Sequence, residues 1–218
     1  MKKFKALIFD MNGTMINDMH YHEMAWHDVL VNQLNAPLTI DDVRHQIYGT
    51  AAEMFQRVFG TGKFTEEEIA TITERKESRY RQEFLPDLKL INGLDRYLDL
   101  AQTQRIPMAI GTAAPVANID FVVDNLKLRH YFPVIIGPGD VQRSKPDPEV
   151  FLLAAQRLGV DAADCVVFED APKGIEAAFR AGMAAVAITS YHTAHELQNE
   201  NVLFATGDYH DPRLNQLF

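Results

Sequence analysis

Five short apolar runs, at residues 6–9, 108–111, 134–136, 165–168 and 184–188, each stop at a small or acidic residue. Their near-continuous hydrophobicity, in place of strict alternation, is what strands need when a parallel sheet is covered on both faces. The covering helices lie between them. Residues 91–100, 118–126, 148–158 and 173–181 carry apolar side chains at helical spacing, and Gly159 and Gly182 stand where helices stop. The alternation predicts an α/β, doubly wound, mostly parallel sheet. In the tail from 191 to 218 only a last strand at 202–204 is expected.

Between the first strand and Pro86 the rhythm changes to helix patterns alone. These cover 21–34, 40–48, and a run from the capping box Thr65-Glu66-Glu67-Glu68 to about residue 84. An all-helical lobe at 16–87 is therefore expected, inserted into a core made of 1–15 plus 88–218. Placed directly after the first strand, such a lobe would act as a lid over the carboxyl end of the sheet, where open α/β folds take ligands.

Composition limits the partners. With 218 residues, 47% hydrophobic and 23% charged, the chain can bury one good core and is not intrinsically disordered. Thirty acidic against twenty-one basic side chains give a formal charge of -9, which repels nucleic acid and anionic membrane surfaces. The single cysteine, Cys165, excludes an internal disulfide or a thiolate zinc cluster and fits a reducing compartment. The first apolar run meets Asp10 too soon for a signal peptide, and no stretch reaches the roughly 18 apolar residues of a membrane span. A soluble, cytoplasmic monomer with neither a nucleic-acid nor a membrane partner is expected.

Chemistry gathers at the strand ends. The first strand delivers Asp10-Met11-Asn12-Gly13-Thr14, a carboxylate followed by a glycine that lets the backbone turn and expose N–H groups. The second ends in Gly111-Thr112-Ala113-Ala114, a hydroxyl among small residues. Ser144-Lys145-Pro146-Asp147-Pro148 holds a lysine with two prolines that stiffen the loop just before a helix; alone it reads more readily as a solvated helix-start lysine. The apolar run at 165–168 stops at Glu169-Asp170, adjacent acids that repel unless a cation lies between them. A nucleophilic acid, a hydroxyl, a lysine and an acid pair form an inventory for phosphoryl transfer to or from a small phosphorylated substrate, with Mg²⁺ as the fitting ion. Gly60-Thr61-Gly62-Lys63 is no Walker loop, because Arg57 and Phe64 occupy positions that need Gly and Ser or Thr. The pairs His20/His22 and His192/His195 lack a third ligand for zinc.

These four segments, in this order, resemble the haloacid dehalogenase superfamily, in particular its β-phosphoglucomutase-like branch, whose Rossmann-like core carries a helical cap. The resemblance spans essentially the whole chain. It implies that Asp10 attacks phosphorus to form an aspartyl-phosphate, while Lys145 and Thr112 hold phosphoryl oxygens. It also implies that Asp10, the main-chain carbonyl of Asn12, and Asp170 with Glu169 bind Mg²⁺. In the cap, Tyr21-His22-Glu23-Met24-Ala25-Trp26 is similar to a segment of that branch, so His22 would face the nucleophile and Lys76 would reach the cleft. Each could equally be an ordinary helix-face residue. Ala113 and Asn118 are the corresponding substrate-binding candidates of the core.

Two departures from the family pattern matter. Asn12 stands where active members usually carry an acid–base aspartate, and a carboxamide cannot shuttle a proton at neutral pH, which predicts turnover slower by roughly 10²–10⁴-fold. Gly49-Thr50-Ala51-Ala52-Glu53 lacks the arginine with which the mutases of that branch hold a second phosphate. A phosphatase is therefore favoured over a sugar-phosphate mutase. A non-catalytic phosphate-metabolite binding protein is a third reading, supported by Asn12 alone.

Overall fold

The computed structural model describes residues 2–218. In chain order its elements are β1 (Ala6–Phe9), α1 (Met19–His27), α2 (Ile40–Arg44), α3 (Ala51–Phe59), α4 (Glu66–Phe84), α5 (Leu94–Thr103), β2 (Met108–Gly111), α6 (Val116–Asn125), β3 (Val134–Ile136), α7 (Glu149–Leu158), β4 (Cys165–Glu169), α8 (Pro172–Arg180), β5 (Ala184–Ile188) and β6 (Val202–Thr206). The chain divides into two compact units, Met1–Asn17 with Leu88–Phe218, and Asp18–Asp87.

The first unit is built on one six-stranded sheet in the order β3-β2-β1-β4-β5-β6, with every neighbouring pair parallel. This is the doubly wound arrangement expected from the alternation, and β1 lies at its centre. Strands β1, β2 and β4 are buried at every residue, so both faces must be apolar, which is why their sequences run without polar interruption. One face packs Ile8, Ala109 and Val167 with Val150, Phe151 and Ile175 of the helices. On the other face the rings of Phe9 and Phe168, register partners on β1 and β4, stack at 4.5 Å. Gly159, with φ of 70°, ends α7 in the left-handed conformation that glycine adopts without strain. Phe4 N donates to the carbonyl of Leu217 at 2.6 Å, bringing these distant positions together.

The second unit is helical throughout. Trp26, Val29, Leu30, Val43, Met54 and Phe55 form its core, so Trp26 packs there as an apolar residue. The 21–34 segment is not one α-helix: after α1 the chain widens into a π-helix over Asp28–Gln33, which buries Val29 and Leu30 together. The helix expected over 40–48 stops at Arg44, because Arg57 takes the carbonyls of Gln46 and Tyr48 while stacking on the Tyr48 ring at 3.8 Å. Helix α3 was not anticipated from apolar spacing. It starts at a capping box in which Glu53 N donates to Thr50 Oγ1 and Thr50 N donates to Glu53 Oε2. The same device starts α4 at Thr65 and Glu68.

Candidate active site

Parallel pairing of β1 with β4 brings their carboxyl ends together, since Phe9 is the register partner of Phe168 and Asp10 N donates to the Phe168 carbonyl at 3.0 Å. Asp10 on one strand is thus next to Glu169 and Asp170 on the other. Lys145, from the loop before α7, lies between them: its Nζ is 2.6 Å from Asp10 Oδ1 and 2.7 Å from Glu169 Oε1. The ammonium also sits 4.7 Å over the Phe151 ring. Its chain is thus held by packing and its head by two carboxylates. The lysine is not a solvated helix-start residue.

The electrostatics follow from that crowding. Burial works to lower the Lys145 pKa, but the charges of Asp10 and Glu169 outweigh it and hold the amine above its ordinary value. Asp170 goes the other way. Burial, then the charges of Glu169 and Asp10, push its carboxyl well above the usual carboxylate range, against the opposing pull of the Thr14 hydroxyl and Lys145. Three carboxyl groups and one ammonium therefore share a largely buried site in which acidic groups outnumber basic ones.

Close packing at two glycines makes the arrangement possible. Gly13, at φ of 72°, lies so near Asp170 that a Cβ there would meet Asp170 Oδ2 at 2.0 Å. A Cβ on Gly174, in the first turn of α8, would meet Glu169 Oε1 at 1.8 Å. Glu169 is further fixed by the N–H of Ala171, which donates to its Oε2 at 2.8 Å. Both of its oxygens are thereby engaged, one with Lys145 and one with the start of α8. Among the described residues no three His, Cys, Asp or Glu side chains are grouped so that their side chains alone could hold a metal ion.

The remaining core candidates are less closely tied to this group. Thr112, buried one residue past β2, accepts the Ala114 N–H on its Oγ1 at 3.1 Å, which leaves its own hydrogen to donate elsewhere. Ala113 is exposed beside it, and Asn118 is fully buried on α6. Asn12 is partly exposed on the loop directly after Asp10.

The cap candidates form a group of their own. Lys76 is 2% exposed, with Nζ 2.6 Å from His22 Nδ1, 2.9 Å from Glu77 Oε1 and 4.9 Å over the Trp26 ring. Burial lowers the Lys76 pKa, opposed by Glu77 and Asp18. An ammonium donates, so His22 Nδ1 accepts and the ring proton sits on Nε2, which is 3.3 Å from Asp18 Oδ2. Tyr80 stacks on His22 at 4.0 Å and donates its hydroxyl to Asp18. Asp18 and Tyr80 escaped the sequence reading, since neither belongs to a motif. Both follow from helical geometry, Asp18 lying four residues before His22 and Tyr80 four after Lys76.

Known proteins fall in line with this architecture. The haloacid dehalogenase-like hydrolase family matches residues 4–182. The chain is 33% identical over 196 residues to the fructose-1-phosphate phosphatase YqaB of Escherichia coli (strain K12), covering 85% of this chain and 96% of that protein. It is 32% identical over 192 residues to the beta-phosphoglucomutase of Bacillus subtilis (strain 168), covering 84% and 83%. The crystal structure of a HAD hydrolase of family IA, variant 3, from Entamoeba histolytica HM-1:IMSS superposes with a TM-score of 0.86 at 27% identity, covering 98% and 95%. The chain belongs to the haloacid dehalogenase-like hydrolases. It is an enzyme of the phosphatase and phosphotransferase kind.

Proposed function

We propose that this protein is a Mg²⁺-dependent phosphatase of a small phosphorylated metabolite of the sugar-phosphate class, working through a phosphoryl group carried on Asp10. The observation that carries the reading is the convergence of Asp10, Lys145, Glu169 and Asp170 at the ends of two paired strands. Its likeness over most of the chain to a fructose-1-phosphate phosphatase supports the substrate class.

Asp10, the main-chain carbonyl of Asn12 and Asp170 are the donors proposed for Mg²⁺. Few carboxylates with room for phosphate and water suit this ion, and a cation there would offset the burial and the like charges that push the Asp170 carboxyl above the usual range. Glu169 is assigned to holding Lys145 rather than to the metal, because both its oxygens are already engaged. When bound, the ion offsets the repulsion between an anionic nucleophile and an anionic phosphate.

The chain's own residues then divide the work. An Asp10 oxygen forms a bond to phosphorus as the bond to the leaving alcohol breaks. Lys145 and Thr112 hold the phosphoryl oxygens and stabilise charge that builds on them. Asn12 can steady the leaving oxygen with an N–H but cannot protonate it, so the alcohol draws its proton from solvent. Water must next hydrolyse the aspartyl-phosphate without a base at position 12, which makes this step slow. His22 and Lys76 are proposed as substrate-selecting residues of the helical unit, and Ala113 and Asn118 as those of the sheet unit.

Hydrolysis is favoured over a mutase by the start of α3. Glu53 closes that capping box with its carboxylate, and Arg57 directs Nε and Nη2 to Gln46 and Tyr48. A second phosphate would meet a like charge there and a guanidinium already engaged. The test is a panel of phosphomonoesters assayed for free phosphate with and without Mg²⁺, using the wild type and Asn12→Asp. Mg²⁺-dependent release that rises in the variant is expected. Conversion of β-glucose 1-phosphate to glucose 6-phosphate with no free phosphate would replace this reading with a mutase.

A further inference from the structure

The loop that follows β5 belongs to none of the four motifs, yet its side chains reach two of them. Ser190 donates its hydroxyl to the carbonyl of Gly13. His192 places Nδ1 2.9 Å from the carbonyl oxygen of Asp170. Since a carbonyl only accepts, Nδ1 carries the hydrogen and the ring tautomer is fixed.

The two anchored residues are themselves in contact. Asp170 Oδ2 lies against the bare Cα of Gly13, and Thr14 Oγ1 donates to Asp170 Oδ1 at 3.2 Å. Gly13 is three residues from Asp10 and leads out of the same turn. One short loop thus fastens the main chain beneath both carboxylates assigned above to the cation. The sheet does not need these bonds, because β5 ends at Ile188 and the last bond to β6 is made by Thr189 N. Tyr209 adds a third fastening on the same turn, its hydroxyl donating to the Thr14 carbonyl at 3.0 Å.

We infer that Ser190 and His192 are positioning residues that bridge Gly13 to Asp170, set the spacing of the Asp10 and Asp170 carboxylates, and so tune the affinity of the site for a hard divalent cation. The inference rests on the proposed metal site and deepens it. The aim of a carboxylate follows from the backbone that carries it. Hydrogen bonds that orient metal ligands from outside are typically worth 10–100-fold in affinity.

The test is a titration of the full-length protein with Mn²⁺, reading the free ion by its EPR signal, with Mg²⁺ as competitor. His192→Ala should raise the dissociation constant about 10-fold. Ser190→Ala, which removes one bond and little packing, should raise it about 3-fold. His192→Asn, whose amide can donate from near the Nδ1 position, should recover most of the loss, and circular dichroism should show the same fold in all variants. Equal affinity in the wild type, His192→Ala and Ser190→Ala overturns the inference and leaves the metal site standing. Failure of His192→Asn to recover affinity also overturns it, by reducing the histidine to packing. A wild type that binds neither ion removes the metal reading and this inference with it. If His192→Ala does not fold, the Ser190→Ala comparison decides.

Discussion

The charged group of the core is mounted on strand ends, whereas that of the cap is mounted on helices, and the two handle charge in opposite ways. In the core three carboxylates face one ammonium, with Asp170 driven toward its neutral form. In the cap Asp18, His22, Lys76 and Glu77 pair off in sequence, each charge touching one of opposite sign or a ring nitrogen that can answer it. The difference separates a group in which acidic residues are in excess from one whose charges are matched within the helical unit. Excess charge at a strand end is stable only when something arrives to share it. A closed network on two helices fixes how those helices pack on each other.

The largest effect should come from the core group. Asp10→Asn or Lys145→Met is expected to reduce phosphate release to the uncatalysed background while leaving thermal unfolding of the helical unit in place, followed by activity assay and melting curves together. Survival of turnover in Asp10→Asn would break the comparison at its root. Next in size, Asn12→Asp should raise kcat/KM, which reports the phosphoryl transfer to Asp10, for alkyl phosphates by roughly 10²–10⁴-fold, and less for aryl phosphates, which leave without a proton. If the gain is equal for both classes, position 12 is not the proton donor.

The cap should respond in a different currency of kinetics. Lys76→Met removes a buried charged donor from the helical unit and, if Lys76 selects the substrate as proposed, should raise KM by roughly 10–100-fold with a much smaller change in kcat. A loss confined to kcat would place Lys76 with the reacting group instead and erase the division drawn above. Smallest of all, Thr50→Ala breaks the α3 capping box and should cost about 1 kcal/mol of stability by denaturant unfolding. Its KM should hardly move, since the box supports the fold of the cap and not its charged network.

Much of the core could be read from the sequence because its strands are unbroken apolar runs, and each chemical residue sits at the end of one. Asp10, Glu169 and Asp170 announce themselves in this way. Lys145 does so through the two prolines that follow it. The cap was harder for a physical reason: its boundaries depend on side chains far away in sequence. Helix α2 stops early because Arg57, beyond α2 and most of the way through α3, captures the carbonyls of Gln46 and Tyr48. Helix α3 did carry a local signal, Thr50 followed three residues later by Glu53, identical in kind to the Thr65 and Glu68 pair that was recognised. The loop of Ser190 and His192 left no trace, because it acts on carbonyl oxygens, and every residue type has one.

The meeting of Phe4 with Leu217 has a practical outcome. A linker of a few residues joining these two positions would close residues 4–217 into a ring without disturbing the sheet, since positions so close in a domain tolerate such joining. Opening that ring between Asp87 and Leu88 would turn the inserted helical unit into a terminal appendage on a single tether. Kinetics of the permuted enzyme would then report what the second crossing contributes to selecting a substrate.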